Sequence, residues 1–249
     1  MTWNTSHRLV EGNLFVYSKK EYEKRRIHVT NENIVSPLAA ILAVTASFLL
    51  VMFVGGASAI LLGYGPASIL SELLVILVPL GYLWSKHVDI RNYVGIEIKR
   101  GTIVKGVAFG GVLLLFDLVV ATTLTAIFGP SQAVVESNKI VTDLSSSYLG
   151  LLYITIGLAL AGICEEFTFR AFLLNTINRR YSFLSALTIS SLAFGLFHFD
   201  PQIVYVISTF LAGLVLGYIY HRYNSYVTCA LAHSTLNLIV LTILVLASK

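Results

Sequence analysis

Two glutamates and an arginine stand at the end of an apolar run, where lipid-facing sequence has no use for charge. Glu165, Glu166 and Arg170 follow the 21 uncharged residues 144–164. A charge at the bilayer centre costs roughly 2.5 to 3.5 kcal/mol even on lenient insertion scales, so such groups mark interior sites by default. Later apolar runs carry His198, four residues after Phe194, and His233, four residues before Asn237. A carboxylate sheltered from water beside imidazoles is the equipment of a general base acting on water. Amide hydrolysis also needs donors aimed at the developing oxyanion, and Asn237 and His233 can supply them. Alternatively, Glu165, His198 and His233 make a zinc site with an open fourth position. The residues alone leave both mechanisms open. The absence of His-Glu-x-x-His speaks against the ordinary metalloprotease arrangement.

Helical phase divides these groups. Glu166 and Arg170, four apart, face the same way and pair, whereas Glu165 is turned about 100° and points elsewhere. A supporting ion pair of Glu166 with Arg170, and a catalytic Glu165, is the expected division. A lone intramembrane histidine is more often a packing residue; two of them with Glu165 and Asn237 on successive late helices argue for one interior site. Glu72 and Asp117, without companions in sequence, read as a residue snorkelling to a helix end and as polar packing. Phe194, Phe197 and Phe199 form an aromatic collar around His198. Gly213 and Gly217 suggest a close helix contact. Tyr218, Tyr220, Tyr223 and Tyr226 fit an interfacial belt. Cys164 and Cys229, lacking metal or disulfide spacing, read as small hydrophobes.

The elements that must position these groups follow from composition. Of 249 residues, 56% are hydrophobic and 12% charged, which excludes an ordinary soluble domain. A net charge of +4 could suggest nucleic acid, but the basic residues cluster at the ends of apolar runs, the pattern of membrane topology. The fold expected is all-α, a polytopic transmembrane helix bundle of about seven spans. A cytosolic tail occupies residues 1–33. Spans one to three, with their connectors, fill residues 34–147: 35–62, 66–85 and 106–128, followed by a Ser/Asn-rich loop. A catalytic core, residues 148–249, holds one long helix from 148 to the Arg179-Arg180 turn, then spans 182–199, 202–220 and 226–247. With the N-terminus inside and the C-terminus outside, fifteen of the 17 basic residues fall on the cytosolic side. Counted from the Arg179-Arg180 turn at 1.5 Å per residue, Glu165 and His198 lie at about 22 and 27 Å, similar heights in a helical hairpin.

Glu165-Glu166-x-x-x-Arg170, Phe194-x-x-x-His198 and His233-x-x-x-Asn237, in that order on late hydrophobic helices, resemble the three motifs of the CPBP family. This is the intramembrane CAAX-protease and bacteriocin-processing group that includes the type II CAAX prenyl endopeptidases. The resemblance covers residues 148–240. It implies an intramembrane endopeptidase in which Glu165 and His198 activate water and His233 with Asn237 hold the oxyanion. In the metal version of that mechanism, Zn2+ is held by Glu165, His198 and His233. The partners implied are membrane lipid and a membrane-associated or lipidated peptide, with no nucleic acid. The setting implied is a prokaryotic cell membrane, with the site open towards the cytosol. Two non-proteolytic readings compete, a bacteriocin immunity factor and a small proton- or ion-coupled transporter. The lack of repeated halves with broken helices speaks against the transporter.

Overall fold

Backbone polar groups in lipid must be satisfied within the chain, and this sequence meets that demand with helices alone. The structure, a computed structural model, describes residues 35–248; the tail expected over residues 1–33 lies outside them. Among the described residues there are nine helices and no strands. They are α1 (Pro37–Leu62), α2 (Tyr64–Ser85), α3 (Ile90–Val94), α4 (Arg100–Phe128) and α5 (Gln132–Ser145), then α6 (Tyr148–Asn178), α7 (Phe183–Phe197), α8 (Val204–Tyr223) and α9 (Tyr226–Ala247).

Their ends are written in small residues. Ser36, Ser131, Ser147, Ser182 and Ser225 each cap a helix, the hydroxyl accepting an N–H that has no intrahelical partner. Gly63, at φ 83°, separates α1 from α2, so the break expected over residues 63–66 shrinks to one residue. Pro66 is then inside the first turn of α2, where a proline is tolerated. Asn224, at φ 45°, turns the chain between α8 and α9.

Six helices, α1, α2, α4, α6, α8 and α9, are long and apolar enough to cross a membrane. They expose large apolar side chains such as Ile60, Leu61 and Leu115, as helices facing lipid do. At the place of the expected fifth span stands α7, which has only 15 residues. It is about 22 Å long against a hydrocarbon core of about 30 Å. The all-α transmembrane bundle is therefore made of six long helices and one short one, where seven full spans were expected.

Two connectors are more ordered than their polarity suggests. Residues 131–147, expected as a loop, form α5, whose buried Val141 packs with Ile154 and Leu241. A polar sequence hid an amphipathic helix because only one stripe of it is apolar. In the connector before α4, α3 docks on the far end of α6. Asn175 Nδ2 donates to the Tyr93 carbonyl at 2.7 Å, Tyr93 Oη and Thr176 Oγ1 are 2.6 Å apart, and the Arg179 guanidinium lies 4.4 Å from the Tyr93 ring centre.

α6 is the axis of the arrangement. α9 runs antiparallel to it, with the Tyr226 hydroxyl donating to Ile163 O, Ser234 Oγ to Ala159 O and Asn237 Nδ2 to Leu158 O at 2.9, 2.9 and 3.2 Å. Gly162 permits that approach: a Cβ there would lie 2.2 Å from Ser234 Oγ and 2.4 Å from the Ser234 backbone nitrogen. On another face, α2 packs parallel to α6. The close helix contact expected at Gly213 and Gly217 is present, against Ser191 and Leu187 of α7. The tyrosine belt is only half right. Tyr218 and Tyr223 are exposed, but Tyr220 and Tyr226 are buried and spend their hydroxyls on Val94 O and Ile163 O.

Candidate active site

The motif glutamates end the regular α-helical part of α6. After Glu166 the helix widens into a π-helical segment, Phe167–Leu174, all eight of whose residues are buried. Such widened turns are rare and are found mostly at functional positions. The segment carries Arg170 into the interior, fully buried, with Nη1 donating to Glu166 Oε1 at 2.9 Å and Nη2 to Gly213 O at 3.3 Å. Its guanidinium stacks 4.2 Å from the centre of the Phe194 ring. The ion pair expected between Glu166 and Arg170 is present.

Glu166 does more than hold Arg170. Its Oε1 also lies 2.9 Å from His233 Nδ1, and its Oε2 lies 3.0 Å from Cys229 Sγ. A carboxylate paired with arginine accepts only, so His233 carries a proton on Nδ1 and turns Nε2 towards Glu165. Cys229 is thus a thiol beside the carboxylate and not merely a small hydrophobe; its sulfur also lies 3.2 Å from Leu216 O. The clue was in the sequence: Cys229, His233 and Asn237 are spaced four apart and share one face of α9.

Glu165 meets the other nitrogen. His233 Nε2 is 3.9 Å from Glu165 Oε2, too long for a hydrogen bond and within reach of one water touching both. That oxygen is buried and has no hydrogen-bond partner among the described residues. The two adjacent glutamates therefore flank a single imidazole, Glu166 fixing it and Glu165 facing it. His198, expected opposite Glu165, forms no hydrogen bond with it among the described residues. It stands just past the end of α7, where its Nδ1 donates to Phe194 O at 2.9 Å and leaves Nε2 free to accept a proton. Its ring meets Phe194 at 4.8 Å and Tyr205 at 5.3 Å, and Phe194 in turn meets His233 at 5.9 Å. Phe194 thus joins both histidines and Arg170. Phe197 packs away on Phe48 and Phe169, and Phe199 is exposed, so the expected collar reduces to Phe194. Asn237 lies one turn along α9 from His233, with one amide proton given to Leu158 O and the other remaining.

Asp200, read from sequence only as part of a tight turn, is the knot behind His198. Its carboxylate accepts from Ser131 Oγ at 3.0 Å, Gln202 N at 3.0 Å and Tyr205 N at 2.9 Å. Burial alone would raise the Asp200 carboxyl; these donors, with Val204 N, outweigh it and hold it below its ordinary range. Asp117 faces the Ser208 hydroxyl in a cavity of about 160 Å³ that Tyr205 and Ser131 also line. Glu72 does not snorkel to a helix end. It sits within α2 with Oε2 buried and, among the described residues, without a hydrogen-bond partner.

The metal version of the site requires Glu165, His198 and His233 to converge on one ion. Among the described residues no group of three or more His, Cys, Asp or Glu side chains converges closely enough to hold a metal ion. His233 and His198 keep Nε2 uncommitted but stand on either side of the Phe194 ring, 5.9 and 4.8 Å from its centre. Glu165, His198 and His233 do not form a ligand set.

Residues 147–239 match the family model described as type II CAAX prenyl endopeptidase Rce1-like. Over that stretch the chain is similar to this family. This agrees with the CPBP resemblance of the three motifs, all of which fall inside the matched stretch. No curated protein and no solved structure matches the chain. The similarity to the Rce1-like family supports intramembrane endopeptidase activity in general, acting on membrane-associated or prenylated substrates. It runs from the cap of α6 into α9, so α1 to α5 are the part of the molecule the match leaves out.

Proposed function

We propose that the protein hydrolyses peptide bonds near the C-terminus of membrane-associated substrates, prenylated CAAX-type tails among them, with water activated by Glu165 and His198. The observation that carries this reading is the unpartnered Glu165 Oε2 facing His233 Nε2, while Glu166 and Arg170 fix the far side of the same ring. A free carboxylate oxygen in a sheltered site is a proton acceptor with nothing else to accept. Glu165 takes a proton from water as its oxygen attacks the scissile carbonyl. His198, whose Nε2 is open, relays that proton from Glu165 to the leaving nitrogen as the C–N bond breaks, which returns Glu165 to its carboxylate. The spare Asn237 amide proton, and His233 Nε2 once the ring carries a second proton there, are the groups placed to meet the oxyanion. Each step uses side chains of α6 to α9, within the Rce1-like stretch.

The test is cleavage of a farnesylated, fluorescence-quenched CAAX peptide by the purified full-length protein in detergent. Glu165→Ala and His198→Ala are expected to lose at least about 10²-fold in rate, the range for removing a general base, with an unchanged melting curve. Retained activity in Glu165→Ala would sink the assignment.

A further inference from the structure

α2 lies outside the Rce1-like stretch, yet it delivers a third carboxylate to the same level of the bundle. Three contacts fix its register on α6. Gly65 packs on Tyr153, Ser68 packs on Gly157, and Thr168 Oγ1 donates to Val75 O at 3.1 Å. The contacts advance in the same direction on both helices. Glu72 lies between Ser68 and Val75 as Glu165 lies between Gly157 and Thr168. The two carboxylates also feel each other electrostatically.

Four buried side-chain N or O atoms lack a hydrogen-bond partner among the described residues, and two of them are Glu72 Oε2 and Glu165 Oε2. Buried polar groups are almost always satisfied, so an orphan marks a missing water or a functional strain. Two orphan acceptors on facing helices share one need, a donor with two protons. Water is such a donor, and buried polar atoms without a protein partner are what ordered water satisfies.

We propose that Glu72 is a positioning residue which, together with Glu165, holds the water that attacks the peptide bond. This rests on the endopeptidase reading above. Each carboxylate accepts one O–H of that water. The proton bonded to Glu165 is the one transferred as the new C–O bond forms; the other stays with the oxygen, and Glu72 ends the cycle unchanged. With both protons engaged, the water's lone pairs point away from the carboxylates and towards the carbonyl carbon. Keeping a second unpaired carboxylate works against the stability of α2, as placements retained for function do.

The experiment uses full-length protein in detergent with the farnesylated peptide as probe and compares Glu72→Gln, Glu72→Leu and Glu165→Ala with exposed Glu136→Gln. Glu72→Leu is expected to raise the melting temperature by about 2–4 °C. It should lower kcat by about 10²-fold, the cost of an ångström-scale misplacement, with KM within about twofold. Glu72→Gln, which keeps an acceptor oxygen, retains part of the rate. A second readout needs no cleavage. Because removing either carboxylate relieves the other, the stability gains of Glu72→Leu and Glu165→Leu are expected to fall short of additive in the double variant. If Glu165→Ala is inactive and both Glu72 variants keep the wild-type kcat, Glu72 has no part in holding the water and the endopeptidase reading stands. If Glu165→Ala remains active, the endopeptidase reading fails, and this inference with it. Additive stability changes would overturn the juxtaposition of the two carboxylates.

Discussion

Gly162→Ala puts a single methyl group between α6 and α9 and moves the machinery on both. The new Cβ would lie 2.2 Å from Ser234 Oγ, 2.4 Å from Ser234 N and 2.8 Å from Ala230 O. Two of those three atoms are backbone, so no rotamer change relieves the clash, and Ser234→Ala is not expected to rescue it. Restoring ordinary contact requires the helices to part by about 1 Å, and overpacking of this kind costs about 1–3 kcal/mol. For a chain of this length that is a fall in melting temperature of about 2–12 °C. His233 is bonded directly to Ser234 in the chain and moves with it. Its 2.9 Å contact with Glu166 opens, and cleavage is expected to fall by about 10²-fold. The assay is a detergent melting curve and kcat on the farnesylated peptide. Gly111→Ala on α4 is the control, because its Cβ would meet nothing within 4 Å. A Gly162→Ala protein with wild-type melting temperature and rate would refute the claim that this glycine sets the distance between His233 and the glutamates.

Glu166→Leu leaves Arg170 buried without its counter-charge and is expected to cost about 3–5 kcal/mol; Arg170→Met in the same chain should recover much of that in the melting curve, without recovering activity, because His233 still lacks the acceptor that holds its Nδ1. Asp200→Asn weakens the loop carrying His198. Its carboxyl is held low in the folded state, so its contribution is complete above its unfolded-state value and is lost as pH falls through the folded one. The melting-temperature gap between wild type and Asp200→Asn is therefore expected to be full at pH 7 and to close below about pH 4; a gap independent of pH would refute this. Exhaustive chelation is expected to leave the cleavage rate within about twofold, and stoichiometric zinc in active protein that is lost with activity would refute the metal-free route.

Much of the frame is written in the sequence. Glycines 63 and 129 and Asn224 mark helix ends that the backbone then takes with positive φ. The four-residue spacing of Glu166 and Arg170 gives their pair, because i and i+4 side chains always meet on a helix. What spacing does not encode is rotation about the helix axis. The heights of Glu165 and His198 along the hairpin were estimated from sequence, but the widened turn at 167–174 and the close approach at Gly162 send Glu165 to His233. The part played by Glu72 depends on the register of α2 on α6, which no local pattern records. α5 and the docked α3 escaped because their binding faces are one or two residues wide, Val141 in one and Tyr93 in the other.

The shortness of α7 shapes the membrane as well as the protein. Leu184, Leu192 and Leu196 are exposed on its outer face, so lipid tails meet a hydrophobic wall only about 22 Å tall beside neighbours of 20 residues or more. Acyl chains adapt to such a step by thinning rather than by leaving apolar surface wet. In the proposed membrane setting the bilayer would thin along that flank of the molecule, where His198 caps the end of α7.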